Sequence, residues 1–302
     1  MRSTMYILMA GTLWGIIAIF VHTLQRAGFS SFEVVALRAV GAALLLFLWL
    51  GVRQRAQLRI RWRDVPYFIG TGVGSIVFFN YCYFQAIAVI GGAAVPALLM
   101  YTAPGFVLGL SALCFGECIT RPKVAALVVI FCGLMLVTGV VGSSASVPVL
   151  GIVLGLGAGL GYALYSIFGK FVVGRYTAAT ITFYTFLMAA VVAVPASGVV
   201  PHALRSLSWS LMPAVLGLGL FCTVLPFLCY TLGLAGLEAS RASLLATVEP
   251  VVAAVVGGVY FHEQFTVLEL VGMLLVLGAI GAINVVGSRA ASDVVTGERT
   301  KD

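Results

Sequence analysis

LLATVEPVVAAVVGGVYFHEQFT, residues 244–266, sets a glutamate and a proline side by side in an apolar run long enough to belong to a membrane helix. A matching stretch lies earlier in the chain: LLMYTAPGFVLGLSALCFGECIT, residues 98–120, aligns with it without a gap. Pro104 and Pro250 differ by 146 positions, as do Phe115 and Phe261, Glu117 and Glu263, and Thr120 and Thr266. The same offset carries Leu98 and Leu99 onto Leu244 and Leu245, Ala93 onto Ala239 and Gly15 onto Gly161. A constant spacing reads as two copies of one unit, roughly 1–141 and 147–290, followed by a cytoplasmic tail at 291–302.

Composition says what the unit is. Of the 302 residues 62% are hydrophobic and only 9% charged, the balance of a chain that crosses a membrane many times. A spanning helix needs about 20 apolar residues. Ten such stretches are expected near 5–24, 32–52, 65–88, 92–115, 122–141, 148–170, 178–199, 211–235, 239–261 and 266–287. Runs such as Val124 to Val141 are apolar all round, which fits helices and not the alternation of barrel strands. The fold expected is an all-α integral membrane protein of ten helices in two five-helix repeats. Five is odd, so the second copy enters the membrane from the opposite side and the repeats are inverted. The first span lacks an early small-residue cleavage site and reads as a retained helix.

The net charge of +7 invites a nucleic-acid reading, especially in RQRAQLRIRWRD, where Arg53, Arg55, Arg59, Arg61 and Arg63 cluster. Position argues otherwise, because the cluster joins two spans and basic residues collect in short cytoplasmic loops. Continuing the count puts Arg121, Lys123, Lys170, Arg175, Arg241 and Arg289 on that side, with Arg26 and Arg205 opposite, so both termini are expected in the cytoplasm. The six cysteines form no CxxC and mostly lie within apolar runs, as small packing residues do.

Inverted repeats related by an axis in the membrane plane are a recurring plan of secondary transporters, with the substrate site near the midplane between the halves. TLWG (Thr12 to Gly15), Arg38 within VVALRAVGAALLL, GYALYSIFGK in the sixth span and the two proline-to-glutamate blocks together resemble the EamA family of the drug/metabolite transporter superfamily. That resemblance covers nearly the whole chain. It implies an inner-membrane carrier, often an exporter of amino acids or related metabolites, with a cavity lined by spans one, three, four, six, eight and nine.

Glu249 is the clearest candidate for function, since an ionisable residue inside a span is expensive. It could carry a proton or face an ammonium; the alternative is a hydrogen-bonded carboxyl that secures its helix. Pro250 and Pro104 remove the amides that would bond to the carbonyls of Ala246 and Met100, so a kink is expected in each repeat. Ser243 and Thr247 lie close enough to serve a freed carbonyl or a substrate. Arg38 reads as a structural charge that snorkels outward or holds a carbonyl, in preference to direct substrate contact; a reach to Glu249 instead would keep that carboxylate ionised. Asn80, Tyr83 and Phe84 fall at i, i+3 and i+4 and share a face. With Trp14, Tyr101, Tyr162 and Tyr165 they are expected to line the cavity, where a ring offers a cation or an aromatic substrate a face to stack on. Trp49, Trp62 and Trp209 fall near span ends, as interfacial aromatics do. His22 and Gln25 read as an outer gate or exposed capping groups.

Gly151, Gly155 and Gly159 have GxxxG spacing, which serves either packing within the chain or a homodimer contact. Packing within the chain, and hence a monomer, is expected. Enzyme chemistry is disfavoured: His262 and Glu263 lack the second histidine of HExxH, and no Ser-His pair suggests a nucleophile. No GxxxxGK[ST] loop is present to power a pump, and no cofactor is implied. A carrier of amino acids, hydrophobic or aromatic ones first, is the reading. Amines or quaternary cations are the alternative substrates, and a passive channel or a non-transporting scaffold are the alternative classes.

Overall fold

The computed structural model describes residues 2–140 and 147–296, with side chains to residue 285. The junction between the repeats and residues 297–302 of the expected tail lie outside the described residues. Among the described residues all regular structure is helical, apart from one isolated bridge between Val173 and Tyr176.

Among the described residues nine helical stretches are long and apolar enough to cross a membrane: Arg2–Arg26, Ser31–Arg53, Trp62–Ile90, Ala94–Phe115, Val149–Val172, Ala178–Ser197, Trp209–Ala235, Ala239–Tyr260 and Val267–Val285. Between the fourth and the next of these lies Arg121–Val137, a 17-residue apolar helix that completes five per repeat. In chain order these ten are the first to tenth spans. Their starts and stops carry local signals. Ser30 and Glu33 form a capping box at the start of the second span, with Ser30 N donating to Glu33 Oε2 at 2.7 Å. Gly91, Gly116 and Gly198 end helices in the left-handed conformation that glycine adopts without steric cost.

The packing follows the offset seen in the sequence. The first span packs on the eighth and the third on the sixth; the fourth packs on the sixth and the ninth on the first. Applying the repeat relation to either member of such a couple gives the other. The second span packs on the seventh and the fifth on the tenth, each span against its own mate. The two halves are therefore interlocked rather than side by side. Even a local irregularity is shared: the third span is π-helical over Gly70–Val77 and the eighth over Leu220–Val224. Such stretches often mark functional regions of helices.

Both expected kinks are present, and each is a full break. The fourth span consists of Ala94–Met100 and Ala103–Phe115, and the ninth of Ala239–Ala246 and Val248–Tyr260. Each proline sits in the first turn of the second half-helix, where the missing amide would have had no partner in any case. At each break a glycine of another span lies close against the backbone. A Cβ on Gly11 would stand 2.9 Å from the Ala246 carbonyl oxygen, and one on Gly159 would stand 2.9 Å from that of Leu99 and 3.1 Å from that of Met100. The glycine stripe of the sixth span thus packs within the chain, Gly151 against Ile90 and Gly155 against Leu99.

Candidate functional site

One large cavity, about 460 Å³, lies between the halves. That is within the size range of small-molecule sites. Its upper lining includes Ser31, the first residue of the second span, and Thr138, which ends the fifth, so it reaches that end of the bundle. Its floor lies near mid-span at Tyr165, Ser166, Phe227 and Tyr230. Trp14, Asn80, Tyr83, Phe84, Tyr101, Tyr162, Tyr165, Arg38, Glu249 and Pro250 all line it.

Glu249 stands at the first turn of its half-helix, where the unbonded amides and the positive end of the helix dipole favour a carboxylate. Tyr162 donates its hydroxyl hydrogen to Glu249 Oε2 at 2.7 Å, and the Tyr101 phenol faces the same carboxyl. Rings pack edge to face below them: Trp14 lies 5.0 Å from Phe227, and Tyr165 lies 4.9 Å from Phe227. The hydroxyls of the floor satisfy one another, Tyr165 with Thr231 at 2.8 Å and Ser166 with Tyr230 at 2.7 Å. Buried phenols with partners and rings in contact make a rigid floor.

Below this floor the end of the bundle that carries the basic loops is shut by charges. The Ala239 and Ser240 amides donate to Glu117 at 2.6 and 3.1 Å, and the Ser240 hydroxyl also donates to it. Burial pushes the Glu117 carboxyl up, but the hydrogen bonds from Ser240, Ala239 and Ser111 outweigh it and leave the group below the usual carboxylate range. Lys123 pairs with Glu238 at 2.8 Å, and Lys170 donates to the Leu234 carbonyl at 2.9 Å and to that of Leu237. At the other end Glu263, the mate of Glu117, lies exposed, as do Ala93 and Ala94, the mates of Ala239 and Ser240. The cavity is closed at one end and open at the other.

Several expectations need correction. Ser243 and Thr247 lie outside the main cavity, in a small pocket behind Tyr101 and Tyr162. The Thr247 hydroxyl donates to the Leu244 carbonyl at 2.6 Å, not to that of Ala246, which packs against Gly11. Arg38 does not snorkel: it is 9% exposed and turned into the cavity. It brings the second span into the lining with Ser31, Val34 and Val35, and the fifth contributes Val137 and Thr138, beyond the six spans expected. His22 packs edge-on to Phe261 with centroids 5.1 Å apart, and Gln25 donates to Ser31 at 2.9 Å. Asn80 keeps its place in the lining, but its amide donates to the Ile76 carbonyl at 2.7 Å. Phe79, Phe227 and Tyr230 were not anticipated as lining residues. The repeat contained a signal for Tyr230, which is the mate of Phe84 at the same offset.

Comparison with known proteins agrees with this architecture. An uncharacterized transporter of Archaeoglobus fulgidus is 29% identical over 279 residues, 91% of this chain and 93% of that one. The threonine/homoserine exporter RhtA of Escherichia coli (strain K12) is 31% identical over 134 residues, 44% of this chain and 43% of the exporter. A solved crystal structure superposes with a TM-score of 0.77 at 20% identity, covering 95% of this chain and 98% of that one. The family model of the EamA-like transporters matches twice, at residues 1–139 and 149–285. With two matches spread over nearly its whole length, the chain belongs to the EamA-like transporter family, within the drug/metabolite transporter superfamily.

Proposed function

We propose that the chain is a secondary active exporter of amino acids, hydrophobic or aromatic ones in the first place, working by alternating access in a cytoplasmic membrane with both termini inside. The observation that carries this reading is the central cavity, open at one end and shut at the other, walled by aromatic rings and holding a carboxylate, Glu249. The partial match to a threonine/homoserine exporter points to the same substrate class. By the charge rule the shut end is cytoplasmic, so the structure corresponds to an outward-open state.

The repeats supply the other state. Glu117 holds the start of the ninth span at the cytoplasmic end, while Glu263 and the start of the fourth span are apart at the outer end. Exchanging the roles of the halves closes Glu263 onto the amides of Ala93 and Ala94 and releases Glu117. Each state then has one carboxylate capping one broken span, so the two lie within about a few kcal/mol of each other, as a carrier requires, with the outward-open state the more populated. Gly155 and Gly159 are occupied by the fourth span, which favours a monomer.

Flux in proteoliposomes tests the reading. A carrier gives saturable uptake and accelerated exchange when amino acid is present on both sides. Linear, unsaturable flux would make the protein a channel, and no flux of any amino acid would end the proposal. The aromatic lining with Glu249 also suits an amine or a quaternary cation, so such cations belong in the same assay as competitors.

A further inference from the structure

The cation in the cavity has no anion. Arg38 is buried among the lining residues, its Nε has no hydrogen-bond partner, and its guanidinium takes part in no ion pair among the described residues. Glu249 faces the same cavity, yet its hydrogen-bond partner is Tyr162 and not Arg38. The two charges feel each other's field without closing into a pair. A buried guanidinium with unused donors is costly, and a residue that merely braced the helix would have found a carbonyl or reached the surface.

We infer that Arg38 is the carboxylate-binding residue of the cavity, and that the substrate is a zwitterion whose carboxylate completes Arg38 while its ammonium turns to Glu249. The planar guanidinium fork matches a carboxylate with two parallel hydrogen bonds, which a lysine could not offer. Direct contact between Arg38 and Glu249 would have spent both charges on each other; held apart, both remain for a ligand. The rest of the wall is largely aromatic or aliphatic, with Trp14, Phe79, Tyr83 and Phe227 among it, and takes the hydrocarbon part. The inference rests on the amino-acid reading and deepens it. It also decides against simple amines, which would leave Arg38 without an acceptor and give the cavity a net positive charge. A site built around such a donor discriminates strongly against analogues that lack the acceptor.

The test uses the purified full-length protein and two matched pairs of probes, phenylalanine with phenylalaninamide and threonine with threoninamide, plus phenethylamine, read by calorimetry and by thermal shift. The expected result is that at least one amino acid binds ten-fold or more tightly than its amide, with phenethylamine as weak as the amides. Arg38→Gln removes that difference, chiefly by weakening the amino acid, and Arg38→Lys restores only part of it. Should Arg38→Gln not fold, the ranking of probes on the wild-type protein decides alone. Equal binding of an amino acid and its amide, or equal weakening of both by Arg38→Gln, overturns the role of Arg38 and leaves the amino-acid reading standing. Binding of phenethylamine but of no amino acid overturns both, as does binding of none of the five.

Discussion

The Ala239 amide donates to the Glu117 carboxylate at 2.6 Å, so an acid of the first repeat caps the ninth span of the second. Among the described residues their mates, Glu263 and Ala93, make no such contact at the opposite end, where both are exposed. Loss of a helix cap costs about 1 kcal/mol and up to 2, which moves a two-state ratio roughly 5- to 30-fold. Glu117→Gln keeps the shape and removes the charge, and is expected to open the end that carries the basic loops by that factor. The measurement is the rate at which an impermeant thiol reagent modifies a cysteine placed at Ser166, in inside-out vesicles of a background without the native cysteines. An unchanged rate would mean that the aromatic floor alone keeps the cavity shut.

The same contact has a defined pH sign. Glu117 lies below the usual carboxylate range because the closed state stabilises its charged form. Its contribution to closure is therefore complete above the ordinary carboxylate value of about 4.3 and is lost only as pH falls through the depressed value. Between pH 6 and 8 the Ser166→Cys modification rate, divided by the thiolate fraction of the introduced cysteine, should be flat in the wild-type background. A rate that climbs between pH 8 and 6 would assign the latch to some other group.

With Glu117 silent in that range, the cavity is the next source to test for a pH dependence of transport near neutrality. Among the described residues Glu249 is the one acid that lines it. Glu249→Gln is expected to flatten the pH profile of exchange. It should also weaken substrate binding about 10- to 100-fold, the worth of one hydrogen bond to a charged group. If exchange keeps both its pH profile and its apparent affinity, Glu249 is a structural cap for its half-helix and no more.

Much of this was legible because the chain repeats itself. The offset of 146 found the broken spans, and the interlocked packing of first on eighth and third on sixth follows from the same relation. Hydropathy placed the spans because lipid leaves the backbone few alternatives to a helix. The site was legible where several aromatic or polar residues shared a face, as Asn80, Tyr83 and Phe84 do. It was not legible where direction depends on tertiary packing. Arg38 near a span end reads as a snorkelling side chain, and only the neighbouring spans decide that it points inward. Thr247 was misread for a related reason: the break beside it lets its hydroxyl turn back to Leu244, behind the cavity wall.

Gly11 and Gly159 are where the broken spans touch a neighbour's backbone. A methyl at either position meets carbonyl oxygens at 2.9 Å, which cannot move without shifting a half-helix. Overpacking of this kind costs about 1–3 kcal/mol. Gly11→Ala and Gly159→Ala should each lower the midpoint of thermal unfolding in detergent. Gly41, in the second span, has nothing within 4 Å of its would-be Cβ, so Gly41→Ala should leave the midpoint unchanged or raise it, helix propensity being the main term left. Equal responses at all three positions would show that the close approaches do not constrain the fold.

The inverted repeat makes its most specific demand on a contact absent from this structure. Glu263 is the mate of Glu117, and Ala93 and Ala94 are the mates of Ala239 and Ser240, which Glu117 holds. In the inward-open state Glu263 should cap the start of the fourth span, and the Glu117 contact should be broken. A cysteine pair at Gln264 and Ala94, which leaves Glu263 in place, should therefore form a disulfide slowly in the wild-type background, because that end is open in the structure. Adding Glu117→Gln destabilises the outward-open state alone, so it should speed that disulfide by the same 5- to 30-fold that it speeds modification at Ser166. The matching of the two factors is the point of the test. Faster modification at Ser166 without faster cross-linking would mean that the cytoplasmic end opens without the outer end closing, which is a leak and not alternation.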